Sequence, residues 1–69
     1  MIKKGIYRHY KGNKYELLHI ANHSESLEKM VVYKALYGEG EIWVRPLSMW
    51  DETVIVNGAE VKRFTLINE

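Results

Sequence analysis

Two short constellations hold the side chains best suited to chemistry, His23-Ser24-Glu25 and Trp43-Val44-Arg45. An imidazole beside a carboxylate can act as a general base with its orienting partner. A guanidinium can grip an anionic group through two parallel hydrogen bonds. If the strands pair in sequence order, both constellations border one shallow groove, with His23 as base, Glu25 as its orienter and Arg45 as the anion clamp. The plainer reading pairs Glu25 with Arg45 or a lysine and leaves His23 to satisfy its own loop. Structural ion pairs are common, which favours the plainer reading.

The opening segment Gly5-Ile6-Tyr7-Arg8-His9-Tyr10-Lys11 mixes aromatic and cationic groups without a clean apolar face. As a strand it sets Tyr7, His9 and Lys11 on one side and Ile6, Arg8 and Tyr10 on the other. A strand made only for packing would segregate better, so this one is expected to display polar groups at a partly covered surface. In Glu41-Ile42-Trp43-Val44-Arg45 the alternation is clean. Ile42 and Val44 are expected to face the core, leaving Trp43 and Arg45 outward. An exposed tryptophan beside an arginine offers a stacking platform for a base, ring or peptide, or a dimer contact. The candidate binding face is therefore Tyr7, His9, His23, Glu25, Trp43 and Arg45.

Other chemistries find less support. His9, His19, His23 and Glu25 have zinc-binding side chains, but their spacing matches no closed site, so no metal is expected. Ser24, Ser26 and Ser48 lack a nucleophile-elbow context. Gly38-x-Gly40 precedes no helix and makes no phosphate loop. The absence of cysteine removes disulfides and thiolate chemistry. No cofactor is implied.

The chain that must position these groups has 69 residues, with 46% hydrophobic and 28% charged content. One domain spanning residues 1–69 is expected, near the lower limit for a self-supporting core. It would bury only roughly 60% of its unfolded surface. The formal net charge is +1, whereas a domain relying on counterion release from nucleic acid is usually more basic. Lys3, Lys4, Arg8, Lys11 and Lys14 nevertheless precede the first acid. That local asymmetry permits an anionic ligand. Lys3-Lys4 is followed by no long apolar run, so neither signal peptide nor membrane span is expected, and a cytoplasmic, bacterial-type protein is the default.

Turn signals divide the chain into short strands. Lys11-Gly12-Asn13 separates the first strand from a second over Tyr15 to Ala21. Gly38-Glu39-Gly40 supplies a hairpin between Val31–Tyr37 and Glu41–Arg45. Pro46 stops the latter strand, and Leu47 to Asp51 reads as one helical turn that sets Met49 or Trp50 against the core. Residues 23–28 read as a polar loop leading into a strand from about Met30. Asn57-Gly58 predicts a two-residue hairpin joining Thr53–Val56 to Glu60–Leu66. The expected fold is mainly β, a small SH3-like antiparallel barrel of five or six short strands with one helical turn.

Several of these residues together resemble a family of short bacterial domains of unknown function, numbered sixteen fifty-three. The resemblance rests on Gly5-x-Tyr7-Arg8-His9-Tyr10-Lys11-Gly12, Ala21-x-His23-Ser24-Glu25 and Val31-Val32-Tyr33-x-Ala35-Leu36-Tyr37-Gly38. It continues through Trp43-Val44-Arg45-Pro46-Leu47, Val54, Gly58 and Arg63-Phe64, covering nearly the whole chain. Trp50 stands where a phenylalanine is commoner, and Asn22 where arginine or lysine is. The resemblance implies a compact, mostly β domain and brings no established activity. It also implies that His9, His23, Glu25, Arg45 and Arg63 matter to the family's shared structure or site.

Three functions follow as expectations. The first is a binding module for an anionic or aromatic small molecule or a peptide segment, using the face just named. The second is a small hydrolase-like enzyme with His23, Glu25 and Arg45 or Arg63, although a chain this short offers little depth to exclude water. The third is single-stranded nucleic-acid binding, with Tyr7, Tyr10 and Trp43 stacking and Arg8, Lys11 and Lys14 on phosphates.

Overall fold

The computed structural model describes residues 2–67 and contains seven strands and one short helix. In chain order these are β1 (Gly5–His9), β2 (Lys14–Asn22), β3 (Lys29–Ala35), β4 (Ile42–Pro46), α1 (Leu47–Trp50), β5 (Thr53–Val56), β6 (Ala59–Lys62) and β7 (Phe64–Leu66). Five form an antiparallel sheet in the order β4-β3-β2-β1-β7, and β5 and β6 form a separate hairpin. The mainly β, antiparallel architecture with one helical turn is the one expected from the sequence.

Each turn follows from local chemistry. Asn57 and Gly58 have φ of 52° and 80°, the paired positive values of a type I′ turn, whose twist matches its flanking strands. Gly38 and Gly40 likewise take positive φ, 59° and 67°, in the β3–β4 turn. Pro46 closes β4 and leads straight into α1, where the Asp51 N–H donates to the Leu47 carbonyl (3.0 Å).

Two details of the sequence reading are corrected. The predicted strand Glu60–Leu66 is two strands, because Arg63 leaves the ladder and changes partners. Its N–H donates to the Glu52 carbonyl (2.9 Å) while its carbonyl accepts from the Tyr10 N–H (2.9 Å). The chain thus passes from the β5–β6 hairpin to the edge of β1. The sheet also curls without closing into a barrel, since β4 and β7 remain its two edges. In a flat sheet these edges would stand about 19 Å apart, four spacings of about 4.8 Å. Instead the Arg45 guanidinium on β4 lies 5.5 Å from the centre of the Phe64 ring on β7.

The core fills this concave face. Tyr7, Leu17, Val31, Tyr33, Trp50 and Phe64 form one buried cluster, with Ile2, Tyr15 and Leu47 packed against it. Trp50 is the plug: α1 delivers its indole onto Phe64, with ring centres 3.7 Å apart, between the edges of Tyr7 and Tyr33. A bulge between Leu17 and His19 shifts the β2 alternation, so that Ile20 stands opposite Val31 on the core face. Among the described residues no helix is long and apolar enough to cross a membrane.

Candidate functional site

The register of β3 with β4 decides which side chains line the concave face. Trp43 lies opposite Tyr33, and Arg45 opposite Val31. Cross-strand partners share a face, and Tyr33 and Val31 are buried in the core. Trp43 and Arg45 are therefore on the core side, and Ile42 and Val44 point away from it, 59% and 60% exposed. This reverses the orientation expected from alternation alone. Period-two patterning separates two sets of side chains but does not say which set is covered.

Arg45 is held in place by aromatic groups. Its guanidinium sits 5.8 Å from the Tyr33 ring centre and 5.5 Å from that of Phe64, within cation–π range. Its Nε–H donates to the Tyr33 hydroxyl (3.1 Å). The ion pairs among the described residues are Asp51–Lys62 and Glu52–Arg63, so no carboxylate there neutralises Arg45. The bland expectation of a Glu25–Arg45 pair is not met.

His9 approaches the same aromatic wall from β1. It stands opposite Phe64 in the β1–β7 ladder, and the two ring centres are 5.0 Å apart, edge to face. Its Nδ1 accepts from the Lys11 N–H (3.2 Å), which leaves the proton of the neutral ring on Nε2. Burial pushes its pKa down, and the positive charges of Arg63, Arg45 and Lys11 push it further. Both effects disfavour the imidazolium.

Tyr15 completes the wall. Its ring meets Tyr33, Phe64, His9 and Tyr37 edge to face, and its hydroxyl lies 2.9 Å from that of Tyr37. Burial, then the hydrogen bond to Tyr37, pushes its pKa up to about 12. The phenol stays neutral and serves as a hydrogen-bonding group. Beyond it, Trp43, Tyr37, Glu39 and Glu41 border a shallow cleft of about 290 Å³. A larger concavity of about 540 Å³ opens beside Trp50, bounded by Ile2, Leu47, Leu66 and the Asp51–Lys62 pair. It holds little of the chemistry singled out in the sequence.

The six predicted residues thus separate. His9, Trp43 and Arg45 share the concave face. Tyr7 shares that face too but is buried, its hydroxyl donating to the Lys3 carbonyl (2.6 Å) and its ring against Trp50. His23 and Glu25 lie in the β2–β3 turn, where the His23 Nδ1 accepts from the N–H groups of Glu25 (3.1 Å) and Ser26 (3.3 Å). His23 is therefore a turn-capping group, with the Glu25 backbone rather than its carboxylate as partner. The sequence reading passed over Tyr15 and Tyr33 as site walls. Their signal was available only through register, since Tyr15 is opposite Ala35 and Tyr33 opposite Leu17 on adjoining strands. Among the described residues no three His, Asp or Glu side chains come together to hold a metal ion.

The model of the family described as "Protein of unknown function (DUF1653)" matches residues 5–66, which carry every strand just described. The chain belongs to this family. The crystal structure of a DUF1653 protein from Bordetella bronchiseptica has the same fold, with a TM-score of 0.88 and 37% sequence identity. The match covers 96% of this chain and 87% of that one. Comparison with curated proteins gives no match. For this DUF1653 domain the reading of function therefore rests on its own geometry.

Proposed function

We propose that this DUF1653 domain is a small binding module for a ligand that carries an anionic group on an aromatic or otherwise planar body, either a small molecule or a peptide segment. The observation that supports it is the placement of Arg45. A guanidinium stacked against Tyr33 and Phe64 and tied at Nε by the Tyr33 hydroxyl keeps its two terminal nitrogens for another partner. No carboxylate of the described residues takes that place. Pre-oriented arginine is well suited to carboxylate and phosphate because its planar fork matches both geometrically.

His9 supplies the neighbouring donor at Nε2, and Arg63 adds positive charge beside it. Trp43, half exposed on the same face, offers a stacking surface for the planar part. His23 and Glu25 belong to the turn and take no part in this arrangement. With its Nδ1 accepting from the Glu25 and Ser26 N–H groups, the His23 ring gives a His23–Glu25 base little support.

Titration with benzoate and with inorganic phosphate, followed by NMR, tests the reading. Shifts should centre on Arg45, His9, Tyr15 and Trp43, and benzoate should outdo phosphate because it also stacks. Arg45→Ala should abolish them in a domain that stays folded. Equal shifts in the Arg45→Ala protein, or shifts centred on the β2–β3 turn, would reject the site.

A further inference from the structure

β4 is an edge strand whose outer side is open. The ladder fixes which of its backbone groups are free. The Ala35 N–H donates to the Glu41 carbonyl (2.9 Å), and the register then places Trp43 and Arg45 in the hydrogen-bonded pairs with Tyr33 and Val31. The N–H and C=O groups of Ile42 and Val44 consequently point away from β3. The strand has no lysine and no bulge, its charged residue Arg45 turns to the core side and its proline stands at the last position, so Ile42 to Val44 form the open part of the edge. Its Ile42, Trp43 and Val44 are 59%, 50% and 60% exposed.

We infer that this edge pairs with β4 of a second copy of the chain, in antiparallel register centred on Trp43. The segment Glu41-Ile42-Trp43-Val44-Arg45 is self-complementary about that residue. A two-fold axis through Trp43 sets Glu41 opposite Arg45 of the second copy, Ile42 opposite its Val44, and the two indoles side by side. The same patch then serves both subunits, as a closed two-fold interface requires.

Backbone and side chains agree on this register. Ile42 and Val44 carry the outward groups, and they fall in the hydrogen-bonded pairs of the new ladder. Trp43 falls in the non-hydrogen-bonded pair, where opposed side chains approach most closely and aromatic pairs are favourable. On the core side, negative meets positive at each end of the seam, and neither Glu41 nor Arg45 has an ion-pair partner among the described residues. On the outer face, Ile42 and Val44 cover one another. The two five-stranded sheets become one continuous sheet.

This goes beyond the ligand-binding reading, and the two can be told apart. Sedimentation equilibrium of the full chain should give twice the 8.1 kDa chain mass. Val44→Pro removes an outward donor and no bond to β3, so it should sediment at the mass of one chain with an unchanged far-UV spectrum and a benzoate response that persists and strengthens, since Glu41 of the second copy no longer stands against Arg45. Glu41→Arg, which sets like charges opposite each other, should shift the mass in the same direction and serves if Val44→Pro fails to fold. A parent chain that remains monomeric at millimolar concentration overturns the inference. So does a dimer that survives in folded Val44→Pro protein, or a monomer that captures an extended peptide along β4.

Discussion

The indole of Trp50 lies flat on the ring of Phe64, with centres 3.7 Å apart and planes within 5° of parallel. One group comes from the single helical turn and the other from the last strand of the curled sheet. Their contact joins α1 to the strand that β1 alone holds in the sheet. The edges of Tyr7 and Tyr33 close on the indole at 5.3 and 4.9 Å. An aromatic cluster of this kind supplies much burial from few residues, which suits a chain with so small a core.

Trp50→Ala should therefore be severe. Emptying a fully buried aromatic position costs about 3–5 kcal/mol, comparable to the entire stability of many domains of this size. Trp50→Phe should be milder, costing about 1–2 kcal/mol, since it keeps a ring and removes a donor. The indole Nε1 is buried and without a partner among the described residues. Urea denaturation ranks the three proteins. Equal midpoints for parent and Trp50→Ala would show that the stack does not organise the core.

Two of the turn positions with positive φ, Gly58 and Leu27, should respond to substitution in opposite directions. Gly58 (φ 80°) has open space where a Cβ would stand, so Gly58→Val is penalised by backbone conformation alone, by about 1 kcal/mol or more. Leu27 already takes φ 65° in the β2–β3 turn and is 73% exposed. Leu27→Asn should gain about 1 kcal/mol, because asparagine tolerates the left-handed region and little packing is lost. Thermal melts should move down for the first and up for the second, by roughly 4–8 °C. A Leu27→Asn protein that melts lower than the parent would mean the exposed leucine makes contacts that outweigh its strain.

His9 should make the domain sensitive to mild acid. Its folded pKa lies below the ordinary imidazole value of about 6.5 because of burial and the charges of Arg63, Arg45 and Lys11. Between the folded and unfolded values the unfolded chain binds more protons, so stability rises with pH there. Read downward, stability is lost as pH falls below 6.5 and the loss is complete beneath the folded pKa. His9→Asn keeps an acceptor near the Lys11 N–H and removes the titration. Melts of both proteins from neutral pH down to about pH 5 should show the steeper decline in the parent. Parallel declines would place the folded His9 pKa at its ordinary value.

Much of this fold is legible residue by residue, because its punctuation is local. Asn57-Gly58 names its turn through the φ values it tolerates, Pro46 marks the last residue of β4, and Gly38 and Gly40 supply the third hairpin. The helical turn after Pro46 offers Trp50, beside Met49, to the core. His9 and Arg45 stand out by chemistry, and both reach the concave face. What the residues could not state alone is anything that depends on register. Alternation along β4 pairs Trp43 with Arg45, but only the alignment with Tyr33 and Val31 turns that pair toward the core. Nothing local marks Arg63 as the point where one strand becomes two, since the break depends on Glu52 and Tyr10 arriving from elsewhere. Pairing in sequence order predicts His23 and Arg45 at the border of one groove. The hairpin instead spends the His23 imidazole on its own backbone, a local hydrogen bond that costs less chain entropy than a meeting across the sheet.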